Sequence, residues 1–169
     1  VDAYNVAIGY EAGTLITTGV QNTLVGSLAG DALTEGGENT ALGYLALSGE
    51  TKGDRNVALG AYALFTQNNT TNADTYNTAI GYNAGFATTT ATANTIIGGL
   101  AGDALTSGSA NVAIGKDSLS ACIDGDFNTA VGFEALEDYD DGDGNGHNTA
   151  IGSQSQRQAT TGEFNTSLG

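Results

Sequence analysis

The residues best suited to chemistry sit in one acidic stretch. Asp141, Asp143, Asn145 and Gly146 fit D-x-[DN]-x-[DN]-G, the front half of a calcium loop. Carboxylate and amide oxygens at alternate positions can converge on one hard cation, and the glycine allows the sharp bend. Asp138 and Asp140 add charge nearby. The pattern then breaks, because the twelfth position from Asp141 is Gly152 rather than a bidentate glutamate. The missing ligand would have to come from elsewhere, for instance Asp124 or Asp126. The stretch is read as a candidate Ca2+ site at Asp141, Asp143 and Asn145, set against a solvated acidic loop.

Other reactive groups are sparse. His147 is the only histidine and Cys122 the only cysteine, so neither a transition-metal set nor a disulfide framework can form. Cys122 is expected to fill a small apolar slot. The glycines follow no nucleophile-elbow, phosphate-loop or dinucleotide pattern, and carboxylates pair only in expected turns. No catalytic set emerges, and the chain is expected not to be an enzyme. Its net charge of −15, from 19 acidic and 4 basic residues, argues against nucleic acid and anionic membrane surfaces as partners. No apolar run is long enough to cross a bilayer.

What positions these residues is a repeat. The phrase N-[TV]-x-[ILV]-G begins at Asn5, Asn22, Asn39, Asn56, Asn77, Asn94, Asn111, Asn128, Asn148 and Asn165. Steps between the asparagines are 17, 17, 17, 21, 17, 17, 17, 20 and 17. A fixed short period along a whole chain marks a repeat architecture. Counting the asparagine as position 1, position 8 is Ala or Ser throughout, from Ala12 to Ser155. Glycine stands three residues before the next asparagine at Gly19, Gly36, Gly53, Gly108, Gly125 and Gly162, with Ala91 the exception at that spacing. Two residues earlier comes Thr17, Thr34, Thr51, Thr89, Thr106 or Thr160, with Ile123 the exception.

A helical repeat does not fit, since each glycine costs a helix about 1 kcal/mol. The phrase alternates as a strand does: positions 2 and 4 share one face and position 3 the other. Gly then permits a positive φ at a corner, and the Asn amide can bond the matching Asn of the next coil. Each period reads as one coil of strand, corner, short second strand and turn. Ten coils stacked at ~4.8 Å give a column about 45 Å tall. The 26 glycines and the lack of proline suit a continuous hydrogen-bond ladder. The Ala/Ser column implies a thin interior or a close approach to another chain. The longer steps place loop insertions near residues 65–76 and 137–147.

Two surface rows invite a functional reading. Threonine rows on a flat face could order water and bind ice. Position 2 also accepts Val6, Val57 and Val112, which points to a packed β-branched site instead. Tyr10, Tyr44, Tyr82 and Phe133 follow the glycine of the phrase. These rings could stack on sugars or seal edges between coils or subunits.

The N-V-A-I-G and N-T-A-I-G phrases at Asn111 and Asn148 resemble the head repeats of trimeric autotransporter adhesins. NTALGYLAL from Asn39 and NTAIGYNAG from Asn77 are similar to repeats of phage tail-fibre-like and bacterial surface proteins. The resemblance spans nearly the whole chain, although adhesin heads commonly use a shorter period. It implies a left-handed parallel β-roll that associates as a homotrimer. The expectation is therefore an all-β parallel β-solenoid of about ten 17-residue coils, one block over residues 1–169, cut from a longer protein. Its expected role is a non-catalytic shaft or head segment of an extracellular attachment fibre, with a glycan or protein receptor as a further partner. The competing reading is a monomeric solenoid that binds ice or polysaccharide on a flat threonine-rich face.

Overall fold

The structure, a computed structural model, describes residues 3–140 and 145–169. Every phrase forms a three-residue strand. These are β1 (Val6–Ile8), β2 (Thr23–Val25), β3 (Thr40–Leu42), β5 (Val57–Leu59), β7 (Thr78–Ile80), β8 (Thr95–Ile97), β9 (Val112–Ile114), β10 (Thr129–Val131), β11 (Thr149–Ile151) and β12 (Thr166–Leu168). They form one parallel sheet in chain order, β1-β2-β3-β5-β7-β8-β9-β10-β11-β12. Register is constant, so Thr78 pairs with Thr95, Ala79 with Ile96 and Ile80 with Ile97. The fold is a parallel β-solenoid.

The expected second strand in each coil is largely absent. Among the described residues only β4 (Gly53–Asp54) and β6 (Ala73–Asp74) form one, as a separate parallel pair. Elsewhere turns replace it, because three positions per coil adopt left-handed backbone. These are positions 7 and 9 and the residue before each asparagine, with φ between 50° and 62°. A left-handed residue swings its N–H toward a neighbouring coil. Thus Leu28 N donates to Tyr10 O, Leu47 N to Ala63 O and Glu38 N to Val20 O. Backbone groups are satisfied between coils rather than within long strands.

Position 5 is different. Its ten glycines have φ between 91° and 143°, a region open essentially only to glycine. They also stack carbonyl over Cα: a Cβ on Gly81 would lie 2.5 Å from Gly98 O. That double constraint accounts for an unbroken glycine column.

The asparagine ladder runs inside the column. Each asparagine Oδ1 accepts the backbone N–H of the next, from Asn22 N to Asn5 Oδ1 (2.8 Å) through Asn165 N to Asn148 Oδ1 (3.0 Å). The ladder crosses both longer steps, through Asn77 N to Asn56 Oδ1 and Asn148 N to Asn128 Oδ1. In the strict coils Nδ2 also donates to a carbonyl 14 residues on, for instance Asn94 to Gly108 O (2.9 Å), and so ties the coil shut. In the two lengthened coils that partner is displaced. Asn56 Nδ2 turns to Asn39 Oδ1, and the buried Asn128 Nδ2 has no partner.

The core is thin. Position 3 points inward at Ala41, Ala58, Ala79, Ala113 and Ala130, and position 8 at Ala29, Ala46, Ala63, Ala84, Ala101 and Ala135, all fully buried. The Ala/Ser column therefore fills the chain's own interior and is not a seam to another chain. Size is traded within a coil. Where position 3 is Leu24 or Ile96, position 9 is Gly30 or Gly102; where it is Ala41, Ala58, Ala113 or Ala130, position 9 is Leu47, Leu64, Leu119 or Leu136. Ala7 and Ala79 instead keep Gly13 and Gly85, whose space is taken by Leu24 and by Leu64 with Ile96 from adjoining coils. A Cβ on Gly30 would meet Leu24 Cδ2 at 2.9 Å. Cys122 is buried in this core, as its apolar setting implied.

Candidate functional site: the outer sheet face and its aromatic corner

With position 3 turned inward, positions 2 and 4 turn outward. The outer face carries two parallel columns. One is Ile8, Val25, Leu42, Leu59, Ile80, Ile97, Ile114, Val131, Ile151 and Leu168, none of them buried. Within the stack Leu42 remains 48 % exposed and Ile151 41 %. The other is the Thr/Val column of position 2, which lies on this same open face rather than in a packed site. Neither column contains a charge.

The threonines of the two rows differ in what their hydroxyls do. Thr17, Thr34, Thr89 and Thr106 donate to the carbonyls of Thr34, Thr51, Thr106 and Ile123 on the next coil, at 3.0–3.1 Å. That row is spent on coil stacking. Among the described residues, the side chains of Thr40, Thr78 and Thr95 on the sheet face have no hydrogen-bond partner.

Just past the position-5 glycines the coil turns, and aromatic rings gather there. Tyr62 is the centre. Its ring meets Tyr44 at 5.4 Å, Phe65 at 5.6 Å, Tyr82 at 6.2 Å and Phe86 at 6.3 Å, all edge-on, while Phe65 and Phe86 stack at 5.2 Å. Edge-on and offset pairs of this kind contribute about 0.5–1.5 kcal/mol each beyond area burial. The row of Tyr44 and Tyr82 was legible in sequence. Phe65 and Phe86 belong to position 10, and only coil stacking brings them to the same corner. Asp103 occupies position 10 on the next coil. Burial, with the negative Asp117 nearby, pushes its carboxyl above the usual 3.8, against a lowering hydrogen bond from its own backbone.

The expected insertion at 65–76 is only partly a surface bulge. Residues 70–72 are exposed, but Asn69 and Thr75 are buried. The anchor is the fully buried Glu50. Its Oε1 accepts from the backbone N–H groups of Thr51, Lys52, Gly53 and Asn69 at 2.8–3.1 Å. Its Oε2 accepts from Gln67 Nε2 (2.8 Å) and Asn69 Nδ2 (2.9 Å). Six donors replace the water that the carboxylate loses. Sequence reasoning passed over Glu50; the signal was the one acid in a position that holds Ile16, Leu33, Thr88, Leu105 or Cys122 in other coils and Gln67 in the next.

Of the candidate calcium residues, Asp141 and Asp143 lie outside the described residues, and Asn145 is exposed. Among the described residues no three His, Cys, Asp or Glu side chains converge as a metal set. His147 is stacked between Phe127 and Phe164, with ring centroids 4.8 Å apart on either side. All four basic residues face acids: Lys52 meets Glu35, Arg55 meets Glu38 and Asp74, Lys116 meets Asp117, and Arg157 meets Glu134 and Glu137. Two concavities lie near the ends of the stack, one lined by Gln154, Gln156 and Arg157 and one by Ala3, Thr17 and Thr18. Neither brings a nucleophile to a base. Among the described residues no helix is long and apolar enough to cross a membrane. Comparison with protein-family models, with curated proteins and with solved structures finds no match to this chain.

Proposed function

We propose that the chain is a structural and adhesive segment of an extracellular attachment fibre, a tail fibre or surface-adhesin shaft, in which copies associate as a homotrimer. The observation that carries this reading is the uncharged, ten-rung outer face of Ile, Leu and Val. Covering a Val, Leu or Ile fully is worth about 1.5–3 kcal/mol. Of that, 37–75 % is still to be gained at Ile8, Leu42, Ile80, Ile151 and Leu168, and a smaller share at the other five rungs. The sum is on the order of 10 kcal/mol per face, comparable to the roughly 4–15 kcal/mol cost of association. The trimer in particular follows from the resemblance of the repeats. Such a fibre is non-catalytic and holds a receptor-binding surface away from its base. The strong negative charge keeps neighbouring shafts apart.

A second reading is favoured by the unspent hydroxyls of Thr40, Thr78 and Thr95. On a monomer they would present a regular hydroxyl and methyl lattice to ice. Sedimentation equilibrium separates the two. A species of three times the 16.9 kDa chain mass, reduced to one chain mass by Ile97→Asp, supports the fibre. A monomer at all concentrations that shows thermal hysteresis supports ice binding and removes the fibre reading.

A further inference from the structure

We infer that the aromatic corner around Tyr62 is a binding site for a neutral oligosaccharide. It lies on the turn beyond the sheet, so it stands independently of whether a second copy covers the outer face. The platform spans successive coils: Tyr44, then Tyr62 with Phe65, then Tyr82 with Phe86. Tyr44 and Tyr82 are 46 % and 57 % exposed. A pyranose presents a C–H face that packs on an aromatic π face, and its hydroxyls need polar groups at the ring edge. One rung of the stack, ~4.8 Å, is comparable to the advance per sugar of an extended glycan. The exposed rings of Tyr44 and Tyr82 stand two rungs apart with Tyr62 edge-on between them, so one extended glycan can reach both.

The polar groups at this corner make poor sense as packing alone. Asn83 follows Tyr62 in the same column, and its Oδ1 is buried with no donor. An unsatisfied buried carbonyl is destabilising. Left-handed backbone does not require asparagine here, because Leu45 and Leu100 hold the same conformation in the same column. Rotation of the Asn83 amide would offer it to a sugar hydroxyl at the ring edge. Half-buried Asp103, next to Phe86, supplies an acceptor where Ser48 and Ser120 stand in other coils. Charge selects the class of sugar. The chain carries −15, and each basic residue is already matched to an acid. An anionic glycan would be repelled, and a neutral one would not.

The test is saturation-transfer difference NMR on the whole chain, irradiating aromatic protons, with cellohexaose, chitohexaose, maltohexaose and polygalacturonate as probes. Asn83→Leu and Asp103→Ser place at each position a residue that its own column already accommodates, so both variants should fold. The expected result is transfer to at least one neutral hexasaccharide. Affinity should fall about tenfold in each variant, with the melting midpoint no lower than that of the parent. No transfer to any neutral probe at millimolar concentration overturns the inference. So does transfer that both variants leave unchanged, or a preference for polygalacturonate. Sedimentation of the same samples tests the fibre reading separately.

Discussion

Gly98 and Gly99 are neighbours in sequence, and the structure gives them opposite tolerances for a methyl group. Gly98 has φ +140°, and a Cβ there would lie 2.4 Å from Gly115 O, 2.6 Å from Gly115 C and 3.0 Å from Lys116 N. All three contacts are backbone, so no side chain can swing away. The φ value alone costs about 1–3 kcal/mol for an L residue. Relieving the contact means lifting one coil off the next, which strains the bonds from Gly98 N to Ile80 O and from Gly115 N to Ile97 O (2.8 and 2.7 Å). Each is worth about 1 kcal/mol. Gly98→Ala should therefore cost about 3–5 kcal/mol, or about 6–20 °C in melting midpoint for a chain of this size. Gly99 lies outside the left-handed region, and its Cβ would find only Tyr82 O at 3.9 Å. Gly99→Ala should be neutral or stabilising by up to about 1 kcal/mol, through the unfolded chain. Circular dichroism melts of the two variants beside the parent decide the matter. Equal midpoints for Gly98→Ala and Gly99→Ala would refute the stacked-glycine account of position 5.

Four further perturbations follow from the same geometry. Leu24→Ala should cost about 2–5 kcal/mol and Gly30→Leu about 1–3, but the double variant recreates the Ala41 and Leu47 pairing. It should melt above either single variant, and strict additivity in urea titrations would count against size trading. Glu50→Gln turns a donor toward Gln67 Nε2 and Asn69 Nδ2, so limited proteolysis should cut residues 68–72 faster, with a stability loss of roughly 2 kcal/mol; an unchanged cleavage rate would disprove the anchor. For Asp103 the folded carboxyl holds its proton to higher pH than the unfolded one, whose value is 3.8. Its contribution to stability therefore falls as pH rises from about 4 through the raised value. Asp103→Asn should raise the midpoint at pH 7 and lose that advantage at pH 3, as paired melts will show. Calcium at Asp141, Asp143 and Asn145 requires that EDTA lower the midpoint and that added calcium restore it; superimposable curves would leave a bare acidic loop.

The sequence by itself determined the period, the strand and the ladder. Asn5, Asn22 and their successors are fixed by a bond that each makes to the next, and Gly81 or Gly98 by a backbone angle and a carbonyl at a repeated distance. Constraints that act between identical positions of consecutive coils leave identical residues, which is why they can be read along the chain. The alternation was legible for the same reason and sets position 3 against positions 2 and 4, but it does not say which face turns inward. Position 2, expected to be packed, is part-buried on the outer face, because valine and threonine share a β-branched shape and shape does not say which side water is on. The second strand was overestimated because left-handed leucine, tyrosine and glutamate carry no mark in sequence; stacking bonds such as Leu28 N to Tyr10 O hold them there. Contacts between different columns needed the tertiary structure. The meeting of Tyr62 with Phe65 and Phe86, the grip of Glu50 on Asn69 and the exchange of bulk between Leu24 and Gly30 each depend on how the turn folds back. A one-dimensional period records the stacking direction, and the path around the coil is decided only when the chain closes on itself.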